Sequence, residues 1–427
     1  MSQTTKGSVV QQIFVELYKY RQEWIDLSAA ERESFVGQLA AALAALQTQG
    51  VAVVGYGVND PDTDHRAPYD FFSVYRVPDV GLQRLFEAGI AASGWYTYFD
   101  QINVSGAALT PAGALMKNVL LQPPQRQGPA IAPISRYQKK SAAVNGHTMT
   151  YTEDGQGTPV VLIHGDMMSS YLWHNVIPYV ASGHRAIAVD LIGAGDSDKL
   201  PAAGEGTYSF DTHARYLGDL LDRLALGDDV VLVGHDWGAN LAFDWTMKHQ
   251  QRVRAIAFSE ALLPPFDWSD WPAMVRDGFK YLRTPEGGQD VLENNFFVNT
   301  ARANMLRMLV AQEWDEIVRP YANPGEDRRP TLDWPRSVPF GDDDTEIRRV
   351  LEEQARWLAK TPIPKLHLAG TPGGIEIIGG RRRDTIATFP NLTATDVQGL
   401  HWTPLDDPHA VGAGLQAWLK ATEAAPN

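Results

Sequence analysis

Residues 230–233 read Val-Val-Leu-Val and run directly into Gly234-His235-Asp236-Trp237-Gly238. Small residues two places either side of a central position permit the strained backbone of a sharp strand-to-helix turn, which lifts one side chain clear of a sheet. Serine is usual there, and this chain has Asp236. A carboxylate attacks an sp³ carbon in line and leaves an ester, whose carbonyl carbon water then attacks. That chemistry suits alkyl halides and epoxides rather than amides. The plainer role, an aspartate that only caps the following helix, fits the position in the turn less well.

A nucleophile of this kind needs a base, an acid that orients the base, and donors for the developing negative oxygen. Gly399-Leu400-His401-Trp402 follows an extended segment, 391–397, and precedes a helix expected near Pro408. His401 sits directly after the last strand and late in the chain, so it is the expected base for the attacking water. The turn after residues 365–368 reads Ala369-Gly370-Thr371-Pro372-Gly373-Gly374 and holds no carboxylate, whereas Ser259-Glu260-Ala261 after residues 255–258 supplies one. Glu260 is therefore the expected acid. His164-Gly165-Asp166 follows the apolar run 160–163. That loop and the amide of Trp237 are the expected oxyanion donors, with His164 bracing the loop.

These positions must be held by a particular scaffold. The apolar runs 160–163, 186–189, 230–233, 255–258 and 365–368 are continuous rather than alternating, as in strands buried on both faces of a mostly parallel sheet covered by helices. In such sheets the chemistry lies beyond the carboxyl ends of the strands. Asn145-Gly146 between two extended runs predicts a type I′ hairpin at the start of this part.

The first hundred residues differ in character. Residues 13–18 alternate as a strand, Ser28-x-x-Glu31 is a capping box opening an Ala/Leu-rich helix that stops at Gly50, and 51–57 and 70–77 read as strands. A helix near 80–92 and a strand around 95–104 complete a β-α-β-β-α-β order, the split ferredoxin-like unit. Residues 107–135, rich in Ala, Gly, Pro and Gln, read as a linker with one short helix near 112–120. The expected division is thus 1–106, a small α+β ferredoxin-like domain; 107–135, linker; and 136–427, the α/β domain.

Composition narrows the function classes. With 37 Lys+Arg against 51 Asp+Glu the formal charge is −14, so phosphate backbones are poor partners and nucleic acid is not expected. Hydrophobic residues make up 44% of the chain, too many for a disordered one. The absence of cysteine removes disulfides, thiolate metal sites and cysteine nucleophiles, and favours a reducing cytoplasm. No apolar run reaches the ~18–20 residues that span a bilayer, so no membrane association is expected.

Taken together, Gly234 to Gly238, His164-Gly165 through Trp173, Asp190-Leu191-Ile192-Gly193-Ala194-Gly195-Asp196-Ser197-Asp198-Lys199, Asp327 to Arg336, Pro364-Lys365-Leu366 and Gly399-Leu400-His401 resemble the haloalkane dehalogenases of the α/β-hydrolase superfamily. They resemble in particular the branch that takes its acid from the turn after the sixth strand. The resemblance runs from about Tyr137 to the C-terminus and implies an α/β-hydrolase fold with a helical cap at about 262–349. It implies Asp236 as nucleophile, His401 as base, Glu260 as acid and Trp237 as a halide donor. The substrates would be small haloalkanes, with water consumed, halide released, and no cofactor or metal. The residue after His-Gly is usually Asn in that branch, as second halide donor; here it is Asp166, which donates nothing when ionised. A protonated carboxyl, or one turned away to leave only its amide, would resolve this, and another branch uses a cap tryptophan, for which Trp268 and Trp271 qualify.

Other readings remain. Epoxide hydrolases share Gly-x-Asp-Trp-Gly and polarise the epoxide with cap tyrosines, here Tyr281 and Tyr321. Marine luciferases of the superfamily share residues 292–297, and a non-catalytic ligand-binding fold is different in kind. The first hundred residues resemble the dimeric α+β barrel superfamily, which implies a homodimer.

Overall fold

The computed structural model describes residues 11–63, 67–108, 130–201, 204–264, 266–268, 271, 273–301, 305–307, 309–341, 343, 345–374 and 381–424. They form two compact units, one within Met1–Gln125 and one within Arg126–Asn427. The short helix expected at 112–120 lies outside the described residues.

Local sequence signals set the elements of the first unit. Strand β1 (Gln12–Tyr20) is followed by the helix Ala29–Thr48, at whose start Ser28 Oγ accepts from the Glu31 amide while Glu31 Oε2 accepts from the Ser28 amide at 2.8 Å. Strands β2 (Ala52–Val58) and β3 (Phe71–Val77) follow, then the helix Val80–Ala92 capped by Asp79, then β4 (Phe99–Ala107). The final strand begins at Phe99 rather than near Trp95. Gly94 at φ 79° turns the chain into a short helix, Trp95–Tyr98, and the Trp95 ring stacks back on Phe99 with centroids 3.9 Å apart.

The four strands pair antiparallel in the order β2-β3-β1-β4, which is the split β-α-β arrangement. Strand alternation sends Phe14, Glu16, Tyr18, Ser73, Tyr75 and Gln101 to one face and Ile13, Val15, Leu17, Phe72, Val74, Ile102 and Val104 to the other. The second set is apolar, and Ile102 and Val104 within it are 45% and 59% exposed.

The second unit carries β5 (Lys140–Val144), β6 (His147–Asp154), β7 (Pro159–Ile163), β8 (Arg185–Val189), β9 (Val230–His235), β10 (Val253–Ser259), β11 (Lys365–Pro372) and β12 (Leu392–Gly399). Asn145 and Gly146 both take positive φ, 51° and 80°, as a type I′ hairpin between β5 and β6 requires. The eight strands form one sheet in the order β12-β11-β10-β9-β7-β8-β6-β5, parallel from β12 to β8. Every residue of β7 and β9 is buried, consistent with a helix layer on each face.

Between β10 and β11 lie the helices Ala273–Leu282, Pro285–Asn294, Phe296–Ala301, Ala311–Val318, Pro330–Ser337 and Glu346–Leu358. The run 292–297 spans a break in this region: Asn295 turns left-handed (φ 55°) and closes one helix before the next begins. Among the described residues no helix is long and apolar enough to cross a membrane.

Candidate active site

Asp236 stands between β9 and the helix Trp237–Lys248 with φ 53° and ψ −132°, a conformation rare for a residue with a side chain. The flanking glycines make the turn possible. A Cβ on Gly234 would lie 2.3 Å from the Ala239 Cα, and one on Gly238 would lie 2.4 Å from the carbonyl oxygens of Ile163 and His164. The strain, on the order of 1–3 kcal/mol, is borne by buried surroundings and holds the carboxylate at the carboxyl end of the sheet.

Two amides grip that carboxylate. Asp236 Oδ2 accepts from the Asp166 amide at 2.9 Å and the carboxylate also accepts from the amide of Trp237. These are the two donors expected from the sequence. The loop that brings the Asp166 amide into place is braced by His164, whose Nδ1 pairs with the Gly165 carbonyl (2.7 Å) and whose Nε2 accepts from the Leu191 amide (3.0 Å). Burial pushes this imidazole down to about 4, so it stays neutral and structural.

His401 closes the arrangement from the end of β12. Its Nε2 lies 4.0 Å from Asp236 Oδ1 and its Nδ1 lies 3.3 Å from Glu260 Oε2. Glu260 follows β10 directly, is fully buried, and has φ 54°. Its other oxygen accepts from the Gly374 amide at 3.0 Å. The loop after β11, which carries no carboxylate among its described residues, therefore contributes an amide that positions the acid. Sequence reasoning missed that role; the Gly373-Gly374 pair was its only signal. His235 adds a brace, its Nε2 sitting 2.6 Å from the His401 carbonyl.

Burial raises the Asp236 carboxyl from its ordinary value, opposed by His401 and by the amides of Asp166 and Trp237. The Asp166 carboxyl is pushed well above the usual range, first by burial and then by the charge of Asp236. Its Oδ1 accepts from the Met167 amide at 2.6 Å.

A cavity of about 260 Å³ opens over Asp236. Its polar edge is Asp166, Asp236 and His401, and its apolar wall includes Trp237, Leu262, Phe279, Phe297 and Val338. Trp237 is held by Trp334, stacked at 4.7 Å and 26°. Of the two cap tryptophans, Trp271 lines the cavity and Trp268 does not; Trp268 stacks on Phe340 at 3.9 Å. The indole N–H groups of Trp271 and Trp402, both on the cavity wall, are buried and make no hydrogen bond. Neither cap tyrosine reaches the cavity. Tyr281 donates to Asp290, and Tyr321 is buried in the core beneath the Lys199 ammonium, 4.4 Å from its ring centre. Among the described residues no cluster of His, Asp and Glu has the geometry of a metal site.

Comparison with known proteins adds independent information. A family profile described as the alpha/beta hydrolase fold matches residues 158–284, and one described as a family of unknown function matches residues 11–121. The chain is 41% identical over 284 residues to a haloalkane dehalogenase of Sphingobium indicum, covering 66% of this chain and 95% of that protein. It is 34% identical over 267 residues to the coelenterazine h 2-monooxygenase of Renilla reniformis, covering 61% of this chain and 83% of that one. The crystal structure of haloalkane dehalogenase DbeA from Bradyrhizobium elkani superposes with a TM-score of 0.64 at 34% identity, over 68% of this chain and 99% of that chain.

Proposed function

The chain belongs to the haloalkane dehalogenase family of α/β hydrolases, and from that premise we propose that Asp236, His401 and Glu260 carry out hydrolytic dehalogenation of small haloalkanes in the cavity over Asp236. The observation that carries the reading is the grip on Asp236. Oδ2 is held by the Asp166 amide, the carboxylate also accepts from the Trp237 amide, and Oδ1 faces the His401 imidazole.

In the first step Asp236 Oδ1 attacks the carbon bearing the halogen and the halide leaves with the bonding pair, so an alkyl ester forms. Trp237 lines the cavity beside the nucleophile, and its indole N–H stabilises the departing halide. In the second step a water gives its proton to His401 Nε2 and attacks the ester carbonyl carbon. The carbonyl oxygen, Oδ2, takes up negative charge where the Asp166 amide already points, with the Trp237 amide beside the same carboxylate. Glu260 holds the imidazole with Nδ1 protonated and balances the imidazolium. Collapse expels the alcohol, which takes the proton from His401; the Asp236 carboxyl left behind gives the second water proton to solvent, so one proton is released with each halide and the carboxylate is restored.

Asp166 stands where an ionised carboxylate would oppose halide. About 4 kcal/mol of repulsion is expected at 4 Å and an effective dielectric near 20. The environment favours the neutral acid instead, and the Asp166 amide is already committed to Oδ2. We assign the second halide donor to Trp271, a cavity-wall residue whose buried indole N–H has no partner and reaches a halide by turning toward the cavity. Because Tyr281 and Tyr321 lie off the cavity wall, the geometry supports halide displacement over epoxide opening.

The first unit's apolar sheet face suits pairing with a second copy of the chain, and we assign it the role of a homodimer contact. The cysteine-free composition suits the cytoplasm. Halide release from bromo- and iodoalkanes, measured beside Asp236→Ala, tests the central reading: release retained by that variant would overturn it.

A further inference from the structure

The helix Ala29–Thr48 carries Val36, Leu39, Leu43 and Leu46 toward the β1–β4 sheet, yet none of its residues is fully buried. The cause is a cavity of about 410 Å³ between this helix, the helix Val80–Ala92 and the sheet. Its walls are aliphatic and aromatic, including Leu39, Leu43, Tyr18, Phe86 and Trp95. One carboxylate, Glu16, interrupts them and is only 5% exposed.

Glu16 is satisfied without a cation. Its Oε2 accepts from Ser73 Oγ at 2.6 Å and its Oε1 from Gln101 Nε2 at 2.8 Å. Among the described residues no lysine or arginine makes an ion pair with it, and Arg84, on the helix Val80–Ala92, pairs with Glu87 at 2.6 Å. A buried carboxyl that meets only neutral donors is costly when ionised. Burial raises its pKa, and Glu87 adds to the effect. The Tyr75 hydroxyl, 2.7 Å from that of Tyr56, is a third neutral partner of the Glu16 carboxyl, so the polar end of the cavity is Glu16 with these two tyrosines.

We propose that this cavity binds a small organic cation with an apolar body, a primary alkyl- or arylalkylammonium, its head on Glu16 and its chain against Leu39 and Leu43. An ammonium N–H supplies the charge-assisted partner that the carboxylate lacks, and aromatic faces attract a cation where water is excluded. The chain covers the half-buried leucines of the loosely seated helix. A carboxylate ligand would meet Glu16 with Glu87 behind it, and an alcohol would forgo the ionic term. If Glu16 is protonated in the free protein, its proton passes to solvent or to the incoming amine, which binds as ammonium. This site lies in the first unit and is independent of the haloalkane cavity.

Calorimetric titration of the full chain at pH 7 with hexylammonium, 1-hexanol and hexanoate tests the proposal. Hexylammonium is expected to bind roughly tenfold tighter than 1-hexanol, with hexanoate the weakest. Glu16→Gln should reduce amine affinity to that of the alcohol while halide release is unchanged. Ala40→Trp, which fills the cavity from the outer helix, should remove binding of both and serves if Glu16→Gln does not fold. Asp236→Asn should leave amine binding unchanged. Equal affinity for amine and alcohol, preference for hexanoate, no binding of any probe, or loss of amine binding in Asp236→Asn alone would each overturn the proposal.

Discussion

His401 Nε2 faces Asp236 Oδ1 across 4.0 Å while its Nδ1 meets Glu260 Oε2 at 3.3 Å. In the proposed mechanism the imidazole serves a water at the ester rather than activating Asp236, which needs no base to attack. Replacing His401 by Phe should therefore spare the first step and stop the second. One halide per protein molecule is expected in a burst, and intact-protein mass spectrometry should show the mass of one alkyl group added. Steady turnover by this variant would remove His401 from the role of base.

In the proposed mechanism Glu260 acts through the histidine, so its effect should fall on hydrolysis of the ester rather than its formation. Glu260→Gln keeps an acceptor for the Gly374 amide but removes the charge that balances the imidazolium. A loss in kcat on the order of 10²–10⁴ is expected, by analogy with neutralising the acid of a Ser-His-Asp triad. Rapid-quench measurement should show the alkyl-enzyme accumulating, and a fall in the burst rate equal to the fall in kcat would contradict this split.

Trp237 and Trp271 share the cavity wall, but Trp237 is fixed by its stack on Trp334. Trp237→Phe removes an N–H and keeps most of the ring. Loss of one such donor costs about 10²–10³ in rate where charge develops, and the loss should be greatest for chloride, the most strongly hydrated leaving group. Trp271→Phe should weaken chloride inhibition as well, whereas Trp268→Phe should not, because Trp268 lies off the cavity. Equal effects of the two cap substitutions would contradict the assignment of Trp271.

Much of this site was legible because it is written in local segments. Gly234 and Gly238 are read from the chain alone, since close backbone approach admits nothing larger. Glu260 follows a recognisable apolar strand, and His401 follows the last extended segment of the chain. The cap was not legible in this way. Trp268 and Trp271 are three residues apart and chemically identical, and both pack on Phe340; Trp268 stacks flat on that ring, whereas Trp271 meets it edge-on and lines the cavity. Tyr281 and Tyr321 failed for the same reason: helix packing directs each side chain, and local spacing does not reveal it. In the first unit the capping box and strand alternation gave the topology, but Gly94 turned residues 95–98 into a helix where β-rich aromatics suggested strand. The cavity beside Glu16 required knowing that the Ala/Leu-rich helix stands off the sheet.

Asp166 gives the last prediction, and its sign follows from linkage. Its carboxyl is held well above the ordinary 3.8 by burial and by Asp236. A folded-state value above the unfolded one means that the neutral acid's contribution to stability is fully present below the unfolded pKa and is lost as pH rises through the folded one. Asp166→Asn, neutral at every pH, escapes that loss. The variant should therefore melt above the native protein by a margin that widens as pH rises from 5 to 9. Halide release should follow the same sense: the ionised acid opposes the departing halide, so native activity should fall on the alkaline side more steeply than that of Asp166→Asn. On the acid side both should decline together, because Asp236 must ionise to attack and burial holds its carboxyl above the ordinary value. Thermal melts and kcat/KM profiles of the two proteins across this range decide the matter, and a constant margin with parallel alkaline limbs would mean that Asp166 is already ionised in the resting enzyme.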